Sequence, residues 1–103
     1  MISTIIGDEV YYHRGFVTLL GGVKPAIMLS FAIQKQQMEK APVWRMTEDE
    51  WFRETGLNPS EQRAARRILK RYDFWIDTWR GTPLMPSFGV RVEDLLKELG
   101  VVK

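Results

Sequence analysis

The sequence predicts an α+β domain on three observations. Two capping-box signals stand close together with a Gly between them, and an aromatic-rich alternating segment follows directly and turns back on itself. The third is size: 103 residues with 45% hydrophobic content and four Trp are enough for one modest core, so residues 1–103 are expected to form a single domain.

Residues 2–6 are β-prone, and Val10-Tyr11-Tyr12 follows Gly7-Asp8-Glu9, which predicts an N-terminal arm, short strand or strand pair over 1–12. A short helix is expected from Arg14 to Leu20, closed by Gly21-Gly22. The most apolar helix is expected from Val23 to about Glu39, with Pro25 near its start and Ala26, Ile27, Leu29, Ile33 and Met38 at apolar positions. Pro42 breaks that pattern, and residues 43–46 read as a short extended segment.

Thr47-Glu48-Asp49-Glu50 is a capping box: the Thr47 hydroxyl accepts the Glu50 amide while the Glu50 carboxylate reaches back to the cap. A two-turn helix starts at Glu48 and stops at Gly56, with Trp51 and Phe52 as its apolar positions. Asn58-Pro59-Ser60-Glu61 repeats the start signal, and a second helix is expected over 59–72. Two capped helices across Gly56-Leu57-Asn58 predict a helix-turn-helix over 47–72. Phe74, Ile76 and Thr78 then alternate with Trp75, Asp77 and Trp79, Gly81-Thr82-Pro83 turns the strand, and residues 84–92 return. This hairpin over 74–92 is a wing, so the expected fold is a winged helix-turn-helix. Pro86 predicts that the return strand lies at an edge or carries a bulge. A last helix is expected over 92–100, with acids in its first turn and Gly100 at its end.

Charge is concentrated on this motif. Residues 59–91 hold seven cations (Arg63, Arg66, Arg67, Lys70, Arg71, Arg80, Arg91) against Glu61, Asp73 and Asp77, a net of +4, while the whole chain is +2. In the second helix Ala64, Ala65, Ile68, Leu69 and Tyr72 form the expected inward stripe, and Gln62, Arg63, Arg66, Arg67, Lys70 and Arg71 the outward one. The outward face suits the major groove of double-stranded DNA, with Ser60, Gln62 and Arg63 toward base edges and the later cations on phosphates. Arginine fits this work because its planar fork holds two acceptors at once. Arg80 and Thr82 at the hairpin tip are candidates for a wing contact. The alternative is a winged-helix module for protein–protein interaction or self-association without DNA binding, since fold alone does not fix function.

Trp75 and Trp79 share a strand face, which suits a stacking platform for single-stranded nucleic acid, a core position or a dimer contact. A homodimer is expected from the unpartnered N-terminal stretch and this aromatic surface. Glu48, Asp49, Glu50 and Glu54 cluster on the first helix of the motif, where the first-turn acids fit helix-dipole stabilisation rather than a metal site.

The run Ala26-Ile27-Met28-Leu29-Ser30, residues 44–46, Thr47-Glu48-Asp49-Glu50-Trp51, Thr55-Gly56-Leu57, the stretch 61–69 and the hairpin together resemble winged-helix domains of phage and plasmid replication proteins. The likeness is to the N-terminal domains of replisome organisers and DnaD-like primosome proteins, and spans about residues 10–99. It implies DNA binding or self-association, a role as replication accessory or transcriptional regulator, and a replication or regulatory protein as a further partner.

Other classes drop out. With no Cys and one His, disulfide frameworks, thiolate sites and the usual zinc clusters are excluded, and His13 has no partner for acid–base chemistry. No catalytic set, Gly-rich phosphate loop or paired buried carboxylates is visible, so no enzyme, cofactor, metal or small-molecule substrate is expected. The apolar run 26–33 falls short of the ~20 residues of a membrane span, and the first residues lack a basic leader, so a cytoplasmic protein is expected.

Overall fold

A computed structural model describes residues 14–80 and 85–100. Over these the chain is α+β, with helices α1 (Arg14–Leu20), α2 (Val23–Glu39), α3 (Glu48–Thr55), α4 (Pro59–Leu69) and α5 (Val92–Glu98). Strands β1 (Trp44–Arg45), β2 (Trp75–Arg80) and β3 (Met85–Val90) form one antiparallel sheet in the order β1-β3-β2. The expected arm over 1–12, His13 and the turn at 81–83 lie outside the described residues. Among the described residues, no helix is long and apolar enough to cross a membrane.

The apolar helix α2 is the centre of the molecule. It buries Ala26, Met28, Leu29 and Ala32 completely: the two large side chains fill the core, and the two alanines let neighbouring elements approach the helix closely. Gln36, one turn before its end, ties it to the sheet: its Nε2 donates to the Val90 carbonyl and its Oε1 accepts from the Val90 amide, both at 2.8 Å. The side-chain amide stands in for a strand backbone at a point where β1 no longer runs beside β3. Past the left-handed C-cap Lys40 (φ 54), the chain crosses the sheet so closely that a Cβ on Gly89 would run into the Pro42 carbonyl. Only glycine fits there.

The inner sheet face meets the helices through aromatic rings. Phe88 lies 5.3 Å from Trp51 in an edge contact, 5.7 Å from Trp44 and 6.1 Å from Trp75, and Phe31 of α2 meets Trp51 edge-on at 5.4 Å. Trp75 is therefore core. Phe52, by contrast, is half exposed, so of the two expected apolar positions of α3 only Trp51 enters the core.

Two expectations are corrected. Pro86 sits in the central strand, not at an edge: β3 pairs with β1 on one side and β2 on the other. Its carbonyl accepts from the Met46 amide just past Arg45, so its nitrogen faces the same side, and the bond that proline cannot return to Met46 is a single one at the point where the β1 ladder ends. The second helix of the pair ends at Leu69 rather than residue 72, and Tyr72 instead turns back so that its hydroxyl donates to the Leu19 carbonyl at 3.1 Å.

Candidate nucleic-acid interface

Local sequence sets the start of α4 to the residue. Asn58 Oδ1 accepts from the Glu61 amide at 2.8 Å, Glu61 Oε1 accepts from the Asn58 amide at 2.9 Å, and Pro59 fills the first turn. The preceding helix α3 carries the same device between Thr47 and Glu50 and ends at Gly56 with φ 80. Leu57, buried in the turn, joins the core beneath both helices. Lys24 of α2 adds an ion pair to Glu61 at 2.7 Å.

The two faces of α4 then separate by helical spacing. Gln62, Ala65, Arg66 and Leu69 fall at i, i+3, i+4 and i+7, and all four are buried. Ser60, Arg63, Ala64 and Arg67 follow the same spacing on the opposite face, and all four are exposed. Lys70, the C-cap, and Arg71 in the turn beyond are exposed as well and extend the basic surface.

Gln62 and Arg66 are thus corrected: neither lies on the outer surface. Gln62 is fully buried, and its Nε2 donates to the Leu57 carbonyl at 2.8 Å and the Glu48 carbonyl at 3.0 Å, bracing the turn against the start of α3. Arg66 is 9% exposed and forks onto Asp77 of β2, with its guanidinium 5.5 Å from the centre of the Phe88 ring. Ala64 takes the place that Arg66 was expected to fill. Residue type misled here: the inward stripe is completed by a paired arginine and the outward one by a methyl group, the reverse of what polarity suggests.

The remaining candidates differ in how free they are. Arg63 pairs with Glu48 at 3.1 Å, with side chains 58% and 38% exposed. Arg67, Lys70 and Arg71 take part in no ion pair among the described residues. Arg80 is the last residue of β2, and Thr82 falls outside the described residues. Trp75 is 6% exposed, and its Nε1 donates to Asp77 Oδ2 at 3.3 Å, so it offers no open face on which a base could stack. Among the described residues, no group of three or more His, Asp or Glu side chains is placed to hold a metal ion.

No family model, curated protein or solved structure matches the chain. What the surface can do follows from its own chemistry. A helix with cations on one face, a small residue among them and every opposing side chain buried can approach a polyanion closely without rearranging its core.

Proposed function

We propose that the chain is a DNA-binding winged-helix protein that lays α4 in the major groove of duplex DNA. The observation that carries this reading is the outward stripe Ser60, Arg63, Ala64 and Arg67, continued by Lys70 and Arg71. It lies on the second of two helices joined across Gly56-Leu57-Asn58, with the β2–β3 hairpin directly after it, the order in which winged helices present a recognition helix and a wing. Ser60, Arg63 and Ala64 occupy the N-terminal half, the part of such a helix that meets base edges. Ala64 carries only a methyl group, which keeps the helix backbone close to the groove floor and suits the C5-methyl of thymine. Arg67, Lys70 and Arg71 serve phosphates, and the hairpin with Arg80 and Thr82 supplies the wing contact. The fold and basic helix also suit the replication-accessory or regulatory role that the resemblance to phage and plasmid replication proteins implies. A two-fold dimer would set two such helices roughly 34 Å apart on a palindromic site.

The test is titration of labelled duplex and single-stranded DNA at two salt concentrations, with the mass of the protein measured alongside. Duplex binding is expected in the micromolar range or tighter at low salt, weakening steeply as salt is added because bound phosphates release their counterions. A folded protein that binds no duplex at low salt would transfer the reading to an interaction or self-association module.

A further inference from the structure

We propose that Glu48 is a positioning residue that sets sequence selectivity by holding Arg63 in a reading geometry; this rests on α4 being the major-groove helix. Glu48 is the first residue of α3, yet it engages two neighbouring residues of α4 through two different groups. Its main-chain carbonyl accepts from Gln62 Nε2 at 3.0 Å, and its carboxylate Oε2 accepts from Arg63 Nη1 at 3.1 Å. The first bond fixes the start of α3 against α4. The second uses that fixed distance to hold a side chain that is otherwise half exposed.

The carboxylate is not needed for capping. The α3 box consists of Thr47 and Glu50, so the Glu48 side chain is free for Arg63. Among the described residues only Nη1 of Arg63 is engaged, which leaves Nε and Nη2 as two parallel donors on one edge. Two parallel donors match O6 and N7 of guanine in the major groove. An arginine held this way has less rotamer freedom left to lose on binding than a free one. Arg67, Lys70 and Arg71 have no such support and suit phosphates, which ask for charge rather than direction.

The same carboxylate opposes binding to any sequence. A negative charge beside the docking face repels the phosphate backbone, and correct base contacts at Arg63 must outweigh it. Glu48 therefore weakens contact with every duplex while favouring those that place guanine opposite Arg63, which is how a repulsive element creates specificity.

The experiment starts with selection of a preferred site from randomised duplexes by the wild-type chain. Affinities for that site and a scrambled duplex are then measured for the wild type, Glu48→Ala, Glu48→Gln, Arg63→Ala and the Glu48→Ala/Arg63→Ala double variant. Glu48→Ala is expected to tighten scrambled binding and to lower the preferred-to-scrambled ratio by about fivefold or more, the low end of what one bidentate base contact discriminates. Glu48→Gln, which still accepts from Arg63 Nη1, is expected to tighten scrambled binding while keeping more of the ratio. In the Arg63→Ala background, Glu48→Ala should leave the ratio unchanged. An unaltered ratio in Glu48→Ala, an equal fall in both backgrounds, or wild-type binding without any sequence preference would each overturn the proposal and leave the DNA reading standing. Absence of duplex binding by the folded wild type would instead remove the DNA reading itself. Circular dichroism melts separate these effects from unfolding, because the bond from Gln62 goes to the Glu48 backbone and survives in every variant.

Discussion

Arg66 forks onto Asp77, Nε to Oδ2 at 2.8 Å and Nη2 to Oδ1 at 3.1 Å, and so pins α4 to β2 from inside the molecule. The register places Asp77 opposite Phe88, and the guanidinium lies over that ring, so one cation joins the helix, both hairpin strands and the aromatic core. With side chains 10% and 1% exposed, neither charge has much water to fall back on. Removing one partner should therefore cost far more than the pair itself is worth. Arg66→Ala and Asp77→Ala are each expected to destabilise by about 3 to 5 kcal/mol, whereas Arg66→Met with Asp77→Leu should recover most of that loss. Urea unfolding of the three variants checks it, and a small loss in the single variants would show that the pair is solvated in solution.

The brace at Gln62 makes a second prediction. Its amide donates to the Leu57 and Glu48 carbonyls from a fully buried position, so Gln62→Ala leaves two acceptors short of a donor. The expected cost is about 1 to 3 kcal/mol, felt as a lower melting temperature. Gln62→Glu should be at least as damaging, since a carboxylate brings acceptors where donors are needed. If Gln62 contacted bases instead, both variants would melt like the wild type and lose DNA affinity alone.

These two residues mark where the sequence stops being legible. Caps, glycines and prolines act locally, so the bounds of α1, α2 and α3 and the start of α4 can be read from their own residues. Gln62 and Arg66 depend on partners in other elements: Gln62 is interior because the turn at Leu57 and the start of α3 offer it carbonyls, and Arg66 because Asp77 waits for it on a strand eleven residues later. Polarity alone assigns both to the surface and Ala64 to the core, and helical spacing with a leucine at position 69 as anchor is the signal that would have separated them. Pro86 is similar. Its place in the central strand is tolerable because its nitrogen faces the end of the short β1 ladder, where one bond is lost, a fact of sheet pairing that no local pattern carries. Gln36, which completes the hydrogen bonding of Val90, falls four residues after Ala32 and seven after Leu29 on the inner face of α2, but its polar type hides it among the glutamines near the end of that helix.

Acid should loosen the two capping boxes. The Glu50 carboxyl is held below its usual 4.5 chiefly by the Thr47 backbone N–H, which outweighs burial, with further help from the Thr47 hydroxyl, Arg53 and Lys35. Glu61 is lowered first by Lys24 and then by the Asn58 backbone N–H, again against burial. Folding thus favours the ionised form of both groups. Their contribution is complete above the unfolded value near 4.5 and is lost as pH falls through the lower folded values. Melting temperatures followed from about pH 6 to about pH 3 should fall for the wild type and fall less for Glu50→Gln with Glu61→Gln, which keeps a neutral acceptor at each cap. Parallel curves for the two proteins would place the acid sensitivity elsewhere.

The outward face of α4 makes the prediction that separates DNA contact from folding. Arg67, Lys70 and Arg71 are exposed and join no ion pair among the described residues, so their replacement by Ala should leave the melting temperature close to that of the wild type. Each replacement should weaken binding to all duplexes alike and lower the slope of log affinity against log salt by about one. Arg63→Ala should cost about 1 to 3 kcal/mol on the preferred site and relax the choice of base there, with little change on a scrambled duplex. Ala64→Glu tests the same surface by obstruction. The position is exposed and tolerates a helix-forming side chain, yet a carboxylate set between Arg63 and Arg67 would meet the groove first and repel it. Loss of duplex binding in Ala64→Glu with an unchanged melting temperature is the expected result. Retained affinity in that variant, or equal losses of stability and affinity across Arg67→Ala, Lys70→Ala and Arg71→Ala, would move the contact off this face of α4.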